Sequence, residues 1–327
     1  PYKKSCYLSV YISLIALIII LINLNKFNYS YIILLTLLLR NIYLYYKNIE
    51  YYFNKFLLER YLYKLKYNKL LLVESENNFK KGHTHIIKNK EKLINEHYVS
   101  LPMHDFLFKC VEGHCNIIVS GETGSGKTEL VKYLASHTKE NEKIITIEDT
   151  LELHLDKIFP HRDIVAMKTN NIASYSDVLV TCMRQNPRWI LLSEVRSAEA
   201  VTAVRNSISS GHNILSTIHS DKASGIPMRL YSLLETNLDV DQFLKTIHRY
   251  IHLGVHVKGY MSKKYGRFQR EIVEVAEFYV DDDNEARCNV LYSKGMDGVE
   301  VYHNPSKRLL DYLDAQGIYL PRETFVK

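Results

Sequence analysis

The sequence predicts an α/β protein, a mostly parallel sheet covered by helices, preceded by N-terminal helices of membrane type. Three observations carry this. From Cys115 onward short apolar runs alternate with helical stretches: NIIVSG, KIITIED, DIVAMK, WILLSE and NILSTIH. The first of them leads directly into a glycine-rich loop and a helix. The third observation is Tyr7–Leu24, which carries no charge and is almost wholly apolar. Strands recurring with helices between them signal parallel pairing with both faces covered. At 327 residues the chain exceeds the usual single domain, and 46% hydrophobic content is ample for a core.

Taken in order, residues 1–75 are expected to be a membrane-associated helical region. Tyr7–Leu24 has the length of a bilayer span, roughly 20 residues. After the polar break Asn25–Ser30, Tyr31–Leu39 is apolar again until Arg40, which must snorkel to the headgroups. A two-helix hairpin is expected, with both ends in the cytosol, because only Lys26 lies between the spans while basic residues flank both sides. A signal peptide would also carry Lys3 and Lys4 before its apolar run, but no small-residue cleavage site follows. Tyr51–Leu72, rich in Tyr, Leu and Lys, reads as a helix lying at the membrane interface or packed on protein. Residues 76–110 read as a linker or partial N-terminal region, and 111–327 as the α/β domain. The chain begins at Pro1 without an initiator methionine, as a fragment or trimmed product does.

The net charge of +6 is uneven, with Lys and Arg crowded into Lys47–Lys92. That is a local surface property, not the mark of a nucleic-acid-binding protein as a whole. Five cysteines without a C-x-x-C pair read as reduced cytosolic thiols. Near the C-terminus YIHLGVHVKGY and REIVEVAEFYV alternate around a basic turn, which predicts an antiparallel pair at one edge of the sheet.

SGETGSGKTEL fits G-x-x-x-x-G-K-[ST] through Gly121, Gly126, Lys127 and Thr128, with Glu122, Thr123, Gly124 and Ser125 filling the loop. A strand runs in and a helix runs out, the context in which backbone N–H groups and a helix N-terminus cradle phosphate. Lys127 would reach the β- and γ-phosphates and Thr128 would offer its hydroxyl to Mg²⁺. Three further strand ends carry polar groups: Glu148 and Asp149, with Glu152 beyond; Glu194 after Ser193; and Thr217 with His219. Ligands collect at the carboxyl ends of strands in open α/β sheets. Glu152 reads equally well as a helix-start carboxylate, His212 as a turn residue, and His252 and His256 as packed or exposed histidines.

The ordered stretches GETGSGKT, TIEDTLEL, MRQNPRWILLSEVR and SSGHNILSTIH resemble the secretion and traffic ATPases of type II and type IV secretion systems and type IV pili. The TIEDT-EL form is most similar to the type IV secretion and tight-adherence branch. The resemblance implies a RecA-like P-loop core, ATP with Mg²⁺, and a hexamer working with secretion or pilus machinery at the cytosolic face of a membrane. It implies that Glu194 orients the attacking water, with Ser193 in place of the family's glycine. Glu148 would be a second acid near metal or water, and His219 would lie near the γ-phosphate. Arg184 and Arg196 match recurring basic positions. In the family a large N-terminal domain precedes the phosphate loop, and its arginines have no evident match here. Two other readings remain. A DNA-pumping coupling ATPase explains the N-terminus better and TIEDTLEL worse. A non-catalytic membrane scaffold is opposed by the intact Lys127, Thr128 and Glu194.

Overall fold

The computed structural model describes residues 89–169, 173–234, 239–295 and 297–325, together with Thr36, Leu39, Arg40 and Tyr43. The chain divides into two compact units, Pro1–Thr84 and His85–Lys327. In the first, the four described residues are helical and exposed. The expected spans and the helix at Tyr51–Leu72 otherwise lie outside the described residues. Among the described residues no helix is long and apolar enough to cross a membrane.

The second unit opens with α1 (Lys90–Asn95) and α2 (Leu101–Glu112). The expectation for 76–110 was a linker or partial N-terminal region; within it, α1 and most of α2 are helical and packed on the α/β core. Leu93, Met103, Phe106, Leu107, Cys110 and Val111 are all buried in the core. The spacing 103, 106, 107, 110, 111 is a single helical stripe, and its burial makes α2 part of the α/β unit. Asn89 caps α1 through the Lys92 N–H at 2.8 Å.

Next come β1 (Ile117–Ser120), α3 (Lys127–Ala135), β2 (Ile144–Glu148), α4 (Leu155–Ile158), β3 (Ile164–Lys168), α5 (Tyr175–Met183) and β4 (Trp189–Val195). They are followed by α6 (Ala198–Ser209), β5 (Asn213–Ile218), α7 (Ile226–Ser232), α8 (Val240–Tyr250) and β6 (Leu253–Ser262). The unit ends with β7 (Arg267–Val280), β8 (Ala286–Lys294), β9 (Glu300–Tyr302) and α9 (Lys307–Ala315). The described strands form one sheet in the order β3-β2-β4-β5-β1-β6-β7-β8-β9. Pairing is parallel from β3 through β6 and antiparallel beyond. The mostly parallel α/β sheet expected from sequence is therefore present. The β6–β7 pair is not the sheet's edge, however: β6 lies parallel against β1, and β8 and β9 extend the sheet past β7.

Alternation along each strand sorts the core into two layers. Ile117, Val119, Trp189, Leu191 and Leu215 face α2, α3 and α9. Ile118, Ile145, Ile147, Ile190, Leu192 and Ile214 face α5, α6 and α8. A strand buried on both faces must read as an unbroken apolar run, which is why the runs of β1, β2, β4 and β5 are conspicuous; β3, at the edge, is half-exposed.

Asn116 holds the start of β1 between its neighbours. Its side-chain amide donates to Tyr250 O at 2.7 Å, and its Oδ1 accepts from Ile214 N–H at 2.9 Å. Its backbone N–H donates to His252 Nδ1 at 2.9 Å. His252 is thus a packed histidine. Burial pushes its pKa down to about 4. In the unfolded chain the ring titrates near the ordinary value of about 6.5, so the unfolded state takes up a proton first as pH falls. Stability is therefore lost between about pH 6.5 and 4. In urea titrations at pH 7 and pH 4, the wild type is expected to lose about 3 kcal/mol more than His252→Gln; equal losses would dismiss the effect.

Candidate functional site

β1 stops at Ser120, and the chain curls through 121–126 into α3. Gly126 takes the left-handed conformation, φ +95°, as it enters the helix. Gly121 has φ +151°, and a Cβ there would lie 2.3 Å from Val257 O and 2.6 Å from Ser125 Oγ. No side chain fits. Glu122, Thr123 and Gly124 form the exposed crest of the loop, and Ser125 is buried beneath them. Ser125 Oγ is a buried hydroxyl without a hydrogen-bond partner among the described residues. A costly orphan of this kind fits a loop shaped to close on an anion.

Lys127 turns back into the loop, donating to Gly121 O at 2.9 Å and Glu122 O at 3.0 Å. Burial lowers its pKa, and the charges of Glu194 and Glu152 oppose that fall. An ammonium has three protons, so one remains for a ligand oxygen. Thr128 Oγ1 donates to Glu152 Oε2 at 3.4 Å. The hydroxyl and its neighbouring carboxylate are the hard oxygen donors that Mg²⁺ takes. Among the described residues no group of three or more His, Cys, Asp or Glu could hold a metal alone. Thr128 would then share Mg²⁺ with ligand phosphates and water.

Glu148 is not where a group beside metal or water would be. It is fully buried and accepts from Thr146 Oγ1 at 2.9 Å, Glu152 N–H at 2.8 Å and Leu153 N–H at 3.0 Å. Burial raises its pKa, and those hydrogen bonds pull it back. Glu148 folds the segment after β2 over its own carboxylate, and this brings Glu152 to Thr128.

At β4 a bulge displaces the register: Leu192 pairs with Ser216 and Val195 with Ile218. Ser193 and Glu194 thus oppose Thr217 alone. A bulge re-aims a side chain, and Thr217 Oγ1 fastens this one by donating to Ser193 O at 2.5 Å. Glu194 emerges half-buried between two bases, with His219 Nε2 at 2.7 Å from Oε1 and Arg196 Nε at 3.1 Å from Oε2. Arg196 also reaches Asp149 Oδ2 at 2.6 Å. The strand tips therefore bring Glu194, His219, Arg196 and Asp149 together. Arg184 is exposed at the end of α5. His212, at the turn before β5, donates from Nδ1 to Pro187 O at 2.8 Å, and His256 Nδ1 lies 3.0 Å from Ser120 Oγ.

A cavity of about 330 Å³ opens beside the loop, with Gly124, Gly126, Lys127 and Thr128 on one wall and Leu93, Tyr98 and Tyr133 on the other. Arg270 lines it as well. Leu93, Tyr98 and Arg270 were not among the residues singled out from sequence. The available signal for Arg270 was its position at the head of REIVEVAEFYV.

A phosphate loop between strand and helix, with acids on the neighbouring parallel strand ends, defines the class of α/β proteins built around a P-loop. More narrowly, residues 90–308 match the family described as Type II/IV secretion system protein, and the chain belongs to that family. It is 34% identical over 188 residues to an uncharacterized protein of Bacillus anthracis, an alignment covering 55% of this chain and 42% of that protein. It is 36% identical over 144 residues to the type IV secretion system protein VirB11 of Bartonella quintana, covering 42% of this chain and 39% of the relative. The match thus spans about two fifths of the length of these curated relatives. Among solved structures, the VirB11 ATPase from the Brucella suis type IV secretion system, in complex with sulphate, aligns with TM-score 0.47 at 26% identity over 61% of each chain.

Two substitutions test the supporting geometry. Gly121→Ala is expected to cost about 2–4 kcal/mol, because its Cβ meets backbone that cannot move aside. Glu148→Ala strands two backbone N–H groups, one of them buried, at a cost of about 2–3 kcal/mol. Urea unfolding reads both; a wild-type midpoint in Glu148→Ala would show that the carboxylate is not holding the segment.

Proposed function

We propose that the chain is the ATP-hydrolysing subunit of a ring, six subunits being the number the family resemblance implies. The ring would power secretion or pilus-type assembly at the cytosolic face of a membrane. The observation that carries this reading is the hydrogen bond between His219 and Glu194 at 2.7 Å, on strand tips beside the loop of Lys127. ATP would settle with its β- and γ-phosphates against the loop N–H groups and Lys127, and with its base and ribose toward the cavity. Mg²⁺, held with Thr128, would neutralise charge on the phosphates. Glu194 would orient the attacking water, since a carboxylate on a bulge is held rigidly and accepts its proton. His219 would meet the terminal phosphate. Because that ring already bonds to Glu194, arrival or loss of the phosphate would be felt at the carboxylate as well. A contact present only with the terminal phosphate is what a motor needs to distinguish its two states. The name of the Bartonella relative, a type IV secretion system protein, supports the choice of machine.

Glu194→Gln retains the side chain's size and loses its basicity. Its steady-state phosphate release is expected to fall by roughly 10²–10⁴-fold, while ATP affinity stays within a few-fold of wild type. Lys127→Ala is expected to weaken ATP binding by at least about tenfold through loss of a charge-assisted contact. Fluorescent-nucleotide titration beside phosphate release separates the two, and wild-type turnover by Glu194→Gln would refute the assigned role.

A further inference from the structure

Resting on the reading of this site as an ATP site, we propose that Arg270, carried by the C-terminal hairpin of β6 and β7, binds the α-phosphate of the nucleotide from within the same chain. The hairpin passes directly over the phosphate loop. Val257 O closes on Gly121, and a Cβ on Gly259 would lie 3.2 Å from Ser125 Cα and 3.0 Å from the Phe268 ring. Gly259 pairs with Arg270 across the two strands. The missing side chain at 259 is filled by Phe268, and the Arg270 guanidinium lies over that ring at 4.9 Å. Phe268 and Arg270, two apart on β7, share one face of the strand. The arginine is thus supported by an aromatic platform, a cation–π arrangement that fixes its direction.

Its place on the loop selects the phosphate. Nε donates to Gly124 O at 3.0 Å, and Cδ would lie 3.1 Å from a Cβ on Gly126. This is the rim bordering the cavity, where the N-terminus of α3 begins. Glu152 meets Thr128 and Glu194 is held by His219 and Arg196, and the proposed ATP site puts these acids at the terminal phosphate, whereas Arg270 contacts Gly124. With Nε occupied, the two terminal amino groups remain for a phosphate oxygen.

Charge points the same way. Arg196 is matched by Asp149 and Glu194, and Glu129 on the cavity wall is matched by Lys132 at 2.8 Å. Arg270 is in no ion pair among the described residues. A polyphosphate entering the cavity meets Lys127 from inside the loop and Arg270 from outside it. The contact lies on the part shared by ATP and ADP, so it would hold both nucleotides alike.

The test is equilibrium binding of ATP, with hydrolysis blocked by Glu194→Gln, and of ADP to the full chain. Arg270→Ala is expected to weaken both by the same factor, about tenfold, and Arg270→Lys to recover part of it. Arg267→Ala, which removes the same charge at the exposed start of β7, is expected to bind both nucleotides as the parent does. A loss confined to ATP would put the guanidinium on the terminal phosphate and overturn the proposal. So would equal losses in Arg267→Ala and Arg270→Ala, or no loss in either. Failure of the parent protein to bind ATP would instead count against the ATP-site reading itself.

Discussion

Asn116 spends every polar group it has on holding the start of β1 against β5 and β6, and the site inherits its geometry from that grip. Its Oδ1 accepts from the Ile214 N–H, its side-chain N–H donates to Tyr250 O, and its own carbonyl accepts from the His252 and Leu253 N–H groups at 3.0 and 3.1 Å. A buried polar group satisfied this completely specifies one register, because any slip would leave several donors unpaired at once. With β1, β5 and β6 in register at one end, their other ends are in register too. Four residues on, β1 stops at Ser120, with Ile218 beside it and His256 on the other flank.

From that alignment the electrostatics follow. The phosphate loop presents backbone N–H groups and one buried ammonium. The neighbouring tips present Glu194 and Glu152, whose charges support the ammonium against its loss of solvent. These acids would repel a polyphosphate if both were free. Glu194 is not free, because His219 and Arg196 hold its two oxygens. Nor is Glu152, which faces the Thr128 hydroxyl. The acids are therefore held in hydrogen-bonded positions at the strand tips, and a ligand arriving at the loop would have only to exchange partners with them. Exchange costs less than burying an unpaired carboxylate.

Much of this was legible in the sequence, for a physical reason. Strands buried on both faces cannot hide: the runs at 117–120, 144–148, 189–195 and 213–218 have almost no solvent face, while the edge strand at 164–168 is half-exposed and is read from its place in the alternation. The glycine loop is equally readable, since Gly121 admits no other residue. What could not be read depends on where side chains point. Glu148 and Glu152 are both acids after one strand, and only the backbone path decides that the first is buried and the second meets Thr128. β8 has no clean alternation, since exposed Arg287 and Cys288 are neighbours and so are buried Leu291 and Tyr292, and β9 is three residues long. Residues 76–110 read as a linker or partial N-terminal region, and only the fold shows α2 burying its stripe of Met103, Phe106, Cys110 and Val111. Arg270 lies 146 residues from its partner Gly124; no local pattern encodes that approach.

The long strand β7 is where these non-local elements meet. Its Gln269 side chain donates to Glu96 O at 2.7 Å, and its Ile272 N–H donates to Tyr98 O at 2.8 Å. Leu93 and Tyr98 stay at the cavity wall because β7 holds the turn between α1 and α2. On the same strand Arg270 touches the loop, while Glu277, farther along, is fully buried and bonded to Ser306 and Asn289. A strand anchored by a buried carboxylate at one end and by a core isoleucine in its middle is a rigid arm. Arg270, beyond those anchors, is therefore held against the phosphate loop by a strand fixed in the C-terminal half of the sheet. This gives the strands past β6 a role beyond covering an edge: β8 pairs with Glu274–Val280 of β7, while β6 pairs with the part that carries Arg270 and holds the cavity wall.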